Sequence, residues 1–339
     1  MNEMRPSDTT LSPAVPVRRF PLRPHQLVHE ITPASDIFVL APLGVPQVDV
    51  ATWRLNVTGM VECPRIFSFD DILKFPKREL RAFHQCAGNP RRPTFPTRRI
   101  TNVIWGGIEL AAVLDLVGVK PDASFLWAAG LDHGVYADTP VESYLKDSPL
   151  PDAIKDGFLA YELNGAPLGP EYGYPLRLVL PGFYGTNSVK WLHRLELADA
   201  RAQGVFTTMF YNDPIAPSEQ APLGGSRPVW RIAPESVIVS PAPNERLSGS
   251  SQEIWGWAWA HSGLQKVEVS VDGGQSWQLA ELGPAVQRSW QKFRLRWRPE
   301  ASGSAVLISR ATDRNGEAQP QDGARNAYHP VAVEIAALT

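Results

Sequence analysis

Trp53, Leu55 and Val57 alternate with Arg54, Asn56 and Thr58, a period of two that predicts a half-buried strand closed by Gly59. Ser68 and Asp71 then read as cap and third helical position of a short helix. Residues 80–86 read as the next strand, which runs into Ala87-Gly88-Asn89-Pro90, a loop that cannot be helical. Residues 110–117 predict a compact helix stopped by Gly118, and residues 125–129 a short apolar strand. Thr139-Pro140-Val141-Glu142 has the pattern of a second capping box, with Pro in the first helical position. Residues 158–163 with the turn Asn164-Gly165, then 176–180 and 189–197, add further strands. Strands and short helices interleave without strict βαβ order, so the fold class is α+β over residues 36–215.

The texture changes twice. Residues 1–35 carry Pro6, Pro13, Pro16, Pro21, Pro24 and Pro33 and predict an extended arm. Residues 216–234 hold Pro217, Pro222, Gly224, Gly225, Pro228 and Pro234 and read as a linker. Beyond it, Val267, Val269 and Val271 alternate with polar residues into Asp272-Gly273-Gly274, and Trp277 and Leu279 open a return strand. Phe293, Leu295 and Trp297 alternate with Arg294, Arg296 and Arg298, and residues 305–312 and 331–335 supply more strands. Residues 235–339 therefore predict an all-β, immunoglobulin-like sandwich.

Composition narrows the function classes. The 339 residues carry 33 basic and 35 acidic side chains, a net charge of −2 that offers no field for nucleic acid or an anionic membrane. No run approaches the ~20 apolar residues of a membrane span, and the first seventeen residues show no secretory signal. The expected compartment is the cytoplasm, or the periplasm if a leader has been removed. Two cysteines, Cys63 and Cys86, cannot make a disulfide framework or a four-ligand zinc site. Cys63, before Pro64, reads as structural, and His25, His29 and His133 as lone histidines.

Four segments bear chemistry. His84-Gln85-Cys86-Ala87-Gly88-Asn89 places a sulfur at a strand end; taken alone, it is either a metal ligand or a packed thiol. Arg91, Arg92, Arg98 and Arg99 follow within a few residues, either a cradle for an oxyanion or a solvated basic loop. Gly173-Tyr-Pro-Leu-Arg177 with Ser188-Val-Lys190-Trp191 puts cations at strand ends beside a Gly-containing turn, which suits a phosphate. Gly130-Leu131-Asp132 brings one carboxylate to another strand end.

Gln85-Cys86-Ala87-Gly88-Asn89, the run Ala160 to Leu168, and Pro181-Gly182-x-x-Gly185-x-x-x-Val189-Lys190-Trp191-Leu192 resemble the signature segments of the sulfite oxidase family of molybdopterin-dependent oxidoreductases. Gly256-Trp-Ala-Trp259 followed by Val267 to Trp277 is similar to that family's C-terminal immunoglobulin-like dimerisation domain. The resemblance covers residues 30–335 and implies a mixed α+β molybdopterin-binding domain followed by the sandwich, without a haem domain. It implies Cys86 as the protein ligand to molybdenum, with two further sulfurs from the pyranopterin dithiolene. Asp132, Tyr172, Arg177, Ser188 and Lys190 fall at its pterin- and phosphate-binding positions, Tyr211 at an active-site tyrosine and Arg91 at a substrate-pocket arginine.

The implied activity is two-electron oxygen-atom transfer on sulfite or another small anion. A separate electron carrier such as a cytochrome, and a homodimer formed through the C-terminal domain, are the implied partners. Two departures stand out. Leu40 occupies a stretch where the family offers an arginine, and Tyr172 stands near a position where it offers a histidine. The first favours a sulfoxide or N-oxide reductase on the same scaffold as the alternative activity; a non-catalytic dimeric assembly protein is the other alternative.

Overall fold

The computed structural model describes residues 17–19, 21–89, 98–215, 217, 225–322 and 325–337. It is strand-rich with few helices, and it divides into two compact units that are discontinuous in sequence. The first comprises Val39–Leu80 and Ile104–Trp230, with the described part of Met1–Phe20; the second comprises Pro21–Phe38, Arg81–Val103 and Arg231–Thr339.

In the first unit a five-stranded sheet runs in the order Leu145–Pro149, Phe125–Gly130, Leu192–Ala198, Arg54–Gly59, Arg65–Ser68. Its middle strand, Leu192–Ala198, is antiparallel to Phe125–Gly130 and parallel to Arg54–Gly59. Phe158–Leu163 lies antiparallel to both Arg177–Val179 and Ile100–Glu109, with a bulge between Ala160 and Glu162. The core is built on Trp53, Leu55, Val57, Ile108, Leu126 and Trp191, and the helix Leu110–Val117 buries Leu110, Val113, Leu114 and Val117 into it. Spacings of three and four put those four on one helical face. Gly118, at φ 66°, ends that helix, and Ser68 caps the helix Phe69–Leu73 by accepting the Asp71 N–H at 3.2 Å.

One expectation is overturned. Thr139-Pro140 does not start a helix: Thr139–Val141 is a strand paired with Gly134–Tyr136. Ala137 and Asp138 between them are both left-handed (φ 46° and 61°), which closes a two-residue hairpin and commits the backbone to pairing across it. The helix in this region is instead Leu150–Asp156, with Pro151 in its first turn.

In the second unit a four-stranded sheet (Glu235–Ser240, Gln252–Trp259, Gln291–Trp297, Glu281–Leu282) and a five-stranded sheet (Arg246–Leu247, Val331–Ile335, Gly303–Asp313, Leu264–Ser270, Gln278–Leu279) enclose one core. Ile254, Ala258 and Phe293 meet Val267, Val269, Leu307 and Val333 there. Alternation along Gln252–Trp259 sends Trp255, Trp257 and Trp259 to the opposite face. That face holds the arm: Trp257 Nε1 donates to Leu27 O at 2.6 Å and Trp290 Nε1 to Glu30 O at 2.9 Å. Trp257 and Trp290 stack at 4.9 Å. The arm itself contains two 3-10 turns, Pro24–Gln26 and Ala34–Asp36.

Candidate active site

The strand Arg78–Gln85 delivers Cys86 to a tight turn. Cys86 N donates to Arg99 O at 3.0 Å, Asn89 N to Cys86 O at 3.1 Å, and Gly88 N to Cys86 Sγ at 3.3 Å. A Cβ on Gly88 would stand 2.6 Å from the Arg99 guanidinium, which donates to Gly88 O at 3.1 Å, so a side chain there would push that arm aside. Arg98 fits neither reading of its arginine run, oxyanion cradle or solvated loop. It is buried and ion-paired with Glu235 at 3.3 Å. Burial lowers its pKa against the pull of Glu235. Arg91 and Arg92 lie outside the described residues.

Glu235 itself was not apparent from the sequence, where it is one acid at the end of a linker. It is fully buried, and burial pushes its carboxyl up to about 7 even though Arg98, Asn89 and Gln85 all favour the charged form. Nearby, Arg325 Nε donates to Ala87 O at 2.6 Å.

In the first unit, Asp132, Tyr172, Arg177, Ser188 and Lys190 come together. Arg177 is buried and lies 4.7 Å from the centre of the Trp105 ring; it donates to Tyr172 O at 3.0 Å and Ser188 O at 3.2 Å. Ser188 Oγ accepts the Leu180 N–H at 3.1 Å, so it fixes this strand end. Lys190 Nζ donates to Leu40 O at 2.8 Å and Glu171 O at 3.2 Å. Gly173, at φ 107°, lets the backbone approach Lys190, whose Cβ would stand 3.0 Å from an added side chain. Burial pushes the Lys190 pKa down, helped by Arg177 and opposed by Asp132 and Glu171. Burial likewise pushes Asp132 up, against the pull of Lys190.

This cluster has the chemistry of a holder for an anionic, N–H-bearing group. Arg177 is buried, Lys190 half-buried, and every hydrogen bond given above for the two ends on a neutral carbonyl. A buried cation is costly unless an opposite charge joins it. Among the described residues Asp132 Oδ1 has no donor and Arg177 Nε no acceptor. A pterin phosphate and ring N–H groups match those vacant valences, so the residues fit a molybdopterin.

Tyr211 lies elsewhere in this unit, in a small cluster with Leu43, Tyr136, Val141 and Phe206. Its backbone is left-handed (φ 59°), and it follows a π-helical turn, Val205–Met209. Lys146, buried and also not apparent from the sequence, donates to Phe206 O at 2.7 Å with its Nζ 5.3 Å from the Tyr211 ring centre. Burial lowers the Lys146 pKa to about 8. Beside it, Asp147 is held in a bidentate pair by Arg201 at 2.7 and 3.1 Å.

A strand-rich chain with a cysteine in a tight turn and a cation cluster at strand ends suits a molybdopterin-binding oxidoreductase. Comparison with known proteins agrees: residues 42–206 match the oxidoreductase molybdopterin binding domain, and residues 226–334 match the Mo-co oxidoreductase dimerisation domain. The crystal structure of the sulfane dehydrogenase SoxCD from Paracoccus pantotrophus superposes with a TM-score of 0.75 at 31% identity, covering 90% of this chain and 80% of that one. Mitochondrial sulfite oxidase of Homo sapiens is 29% identical over 92% of this chain, which spans 63% of the human protein's length. Sulfite oxidase of Arabidopsis thaliana is 27% identical over 86% of this chain and 83% of its own length. The chain belongs to the sulfite oxidase family of molybdopterin-dependent oxidoreductases. Among the described residues no helix is long and apolar enough to cross a membrane.

Proposed function

We propose that this protein catalyses two-electron oxygen-atom transfer on a small substrate at a molybdenum pterin held by Cys86. The observation that carries the reading is the pair of cations, buried Arg177 and half-buried Lys190, whose hydrogen bonds end on carbonyls, beside the unpartnered Asp132 Oδ1. Arg177 and Lys190 would hold the phosphate, Asp132 would accept from a ring N–H, and the Cys86 thiolate would bind the metal. When bound, the molybdenum pterin supplies the two-electron redox and oxygen-transfer chemistry. Gly88 N–H, aimed at Cys86 Sγ, fixes where the sulfur stands for that role. Tyr211 would hold or relay a proton at its hydroxyl, and Arg91 would attract an anionic substrate. Tyr172 contributes its carbonyl to Arg177 and Ser188 its hydroxyl to the strand end, so both act by fixing the cation's position.

Sulfite and sulfane sulfur are the first substrates to try. Reduction of a sulfoxide or N-oxide is the second reading, favoured because Leu40 offers an apolar side chain and lends only its carbonyl to Lys190. The sandwich would be the immunoglobulin-like dimerisation domain of a homodimer, and electrons would leave to a separate carrier such as a cytochrome.

Molybdenum per chain, measured by elemental mass spectrometry on protein from a pterin-making host, tests the proposal. One metal per chain, lost in Cys86→Ser, is the expected result. A metal-free wild-type protein, or a Cys86→Ser variant that keeps its metal, would overturn it.

A further inference from the structure

The turn that carries Cys86 is held from both shoulders by one buried carboxylate. Glu235 opens the strand Glu235–Ser240, and its Oε2 accepts from Gln85 Nε2 at 2.6 Å and from Asn89 Nδ2 at 2.9 Å. Its Oε1 accepts from the same Asn89 amide at 2.9 Å and pairs with Arg98 at 3.3 Å. Gln85 directly precedes the cysteine and Asn89 ends its turn, so the carboxylate brackets Cys86 without touching it. The bracket is braced in turn. Gln85 Oε1 accepts from Trp259 Nε1 at 2.8 Å, and Gln85 Nε2 also donates to Asn326 Oδ1 at 2.6 Å. Asn326 is left-handed (φ 64°) and donates to Ala233 O at 2.7 Å, while Asn89 Oδ1 accepts the Arg99 N–H at 3.1 Å.

Two amide donors and a guanidinium converge on this buried point, and only an anionic acceptor satisfies all three; a neutral amide there would set N–H against N–H. We infer that Glu235, a residue of the C-terminal sandwich, is the positioning residue that fixes the Cys86 turn in its ligating geometry. The inference builds on Cys86 as the metal's ligand, and it adds that the sandwich does more than pair subunits, because it supplies the floor of the ligand loop.

The test compares alkylation of Cys86 and Cys63 by iodoacetamide in the full-length chain, made in a host without the pterin and read peptide by peptide by mass spectrometry. Exposed Cys63 lies in the first compact unit and serves as the internal standard. Glu235→Gln raises the Cys86 to Cys63 ratio about tenfold, the consequence of stranding buried donors. Glu235→Asp, which keeps the charge, restores part of the protection. Val267→Ala, a core deletion in the same sandwich, lowers thermal stability without moving the ratio.

An unchanged ratio in folded Glu235→Gln, or an equal rise in Val267→Ala, overturns the inference. If Glu235→Gln does not fold, Asn89→Ala, which removes one shoulder and leaves the charge paired, must raise the ratio. Molybdenum content in a pterin-making host is the second readout and must fall in Glu235→Gln. Because the alkylation needs no metal, it can succeed even where Cys86→Ser shows that the cysteine is not the ligand, so the two ideas fail separately.

Discussion

The Arg177 guanidinium stands over the Trp105 ring, 4.7 Å from its centre, and its hydrogen bonds go to two carbonyls. Burial lowers its pKa. If that cation is kept for a ligand, the empty protein gains nothing from it. Arg177→Met should therefore leave the cofactor-free protein as stable as wild type or more so, because the desolvation cost disappears. The same variant should retain little molybdenum. Urea unfolding and metal content measured together check this, and a loss of several kcal/mol in the cofactor-free state would mark Arg177 as a structural strut instead.

Gly173 offers a paired comparison. Its left-handed backbone abuts Lys190, with an added Cβ 3.0 to 3.1 Å from Lys190 carbons, whereas Gly165, also left-handed, has nothing within 4 Å. Both alanine variants should lose about 1 kcal/mol for the backbone conformation. Only Gly173→Ala should displace Lys190 and lower cofactor retention. Thermal melts with metal content decide; equal retention in the two variants would remove Gly173 from the site.

Lys146 predicts a pH dependence. Its folded pKa is near 8 against 10.5 for the free side chain, with burial as the first cause and the Arg201 charge adding to it against Asp147. Between those values the unfolded chain holds a proton that the folded chain has released, so wild-type stability gains a contribution as pH rises through that window. Lys146→Met lacks the gain. The variant should be the more stable protein at pH 7, and its advantage should shrink as pH climbs above 8. Guanidinium unfolding at pH 7 and pH 10 measures both, and a pH-independent difference would refute the sign.

Asp147 and Arg201 form the pair that flanks this lysine. The carboxylate is fully buried and the guanidinium side chain is 27% exposed. Asp147→Asn should cost about 2 kcal/mol, below the 3–5 of a wholly buried pair because water reaches Arg201. Equilibrium unfolding near neutral pH reads it directly.

Periodicity made much of the fold legible. Arg54–Gly59, the capped turn at Ser68, the helix stopped by Gly118 and the Asn164-Gly165 hairpin all declare themselves through spacing and turn residues. Thr139 misled because a Thr-Pro start signals a cap only when the preceding chain is free, and here Ala137 and Asp138 had already bent it into a hairpin. The cationic cluster was legible because Arg177, Ser188 and Lys190 stand close together in sequence. Glu235, Lys146 and the Arg201 pair were not, since each acquires its meaning from partners 54 to 150 residues away or from burial that no local pattern encodes. Arg98 was misread for the same reason: its partner Glu235 is remote in sequence, and a run of arginines looks alike whether solvated or buried.

The carboxylate beneath the Cys86 turn also imposes an order on biosynthesis. Gln85 leaves the ribosome 150 residues before Glu235 and 241 before Asn326. At ~5–20 residues per second, about 10 to 50 s pass before the last of those partners exists. Until then the cysteine stands on an unfinished loop, because the side chains that brace its turn have yet to be made. The turn therefore takes its final shape only after Asn326 has been made, timed by side chains remote from it along the polypeptide.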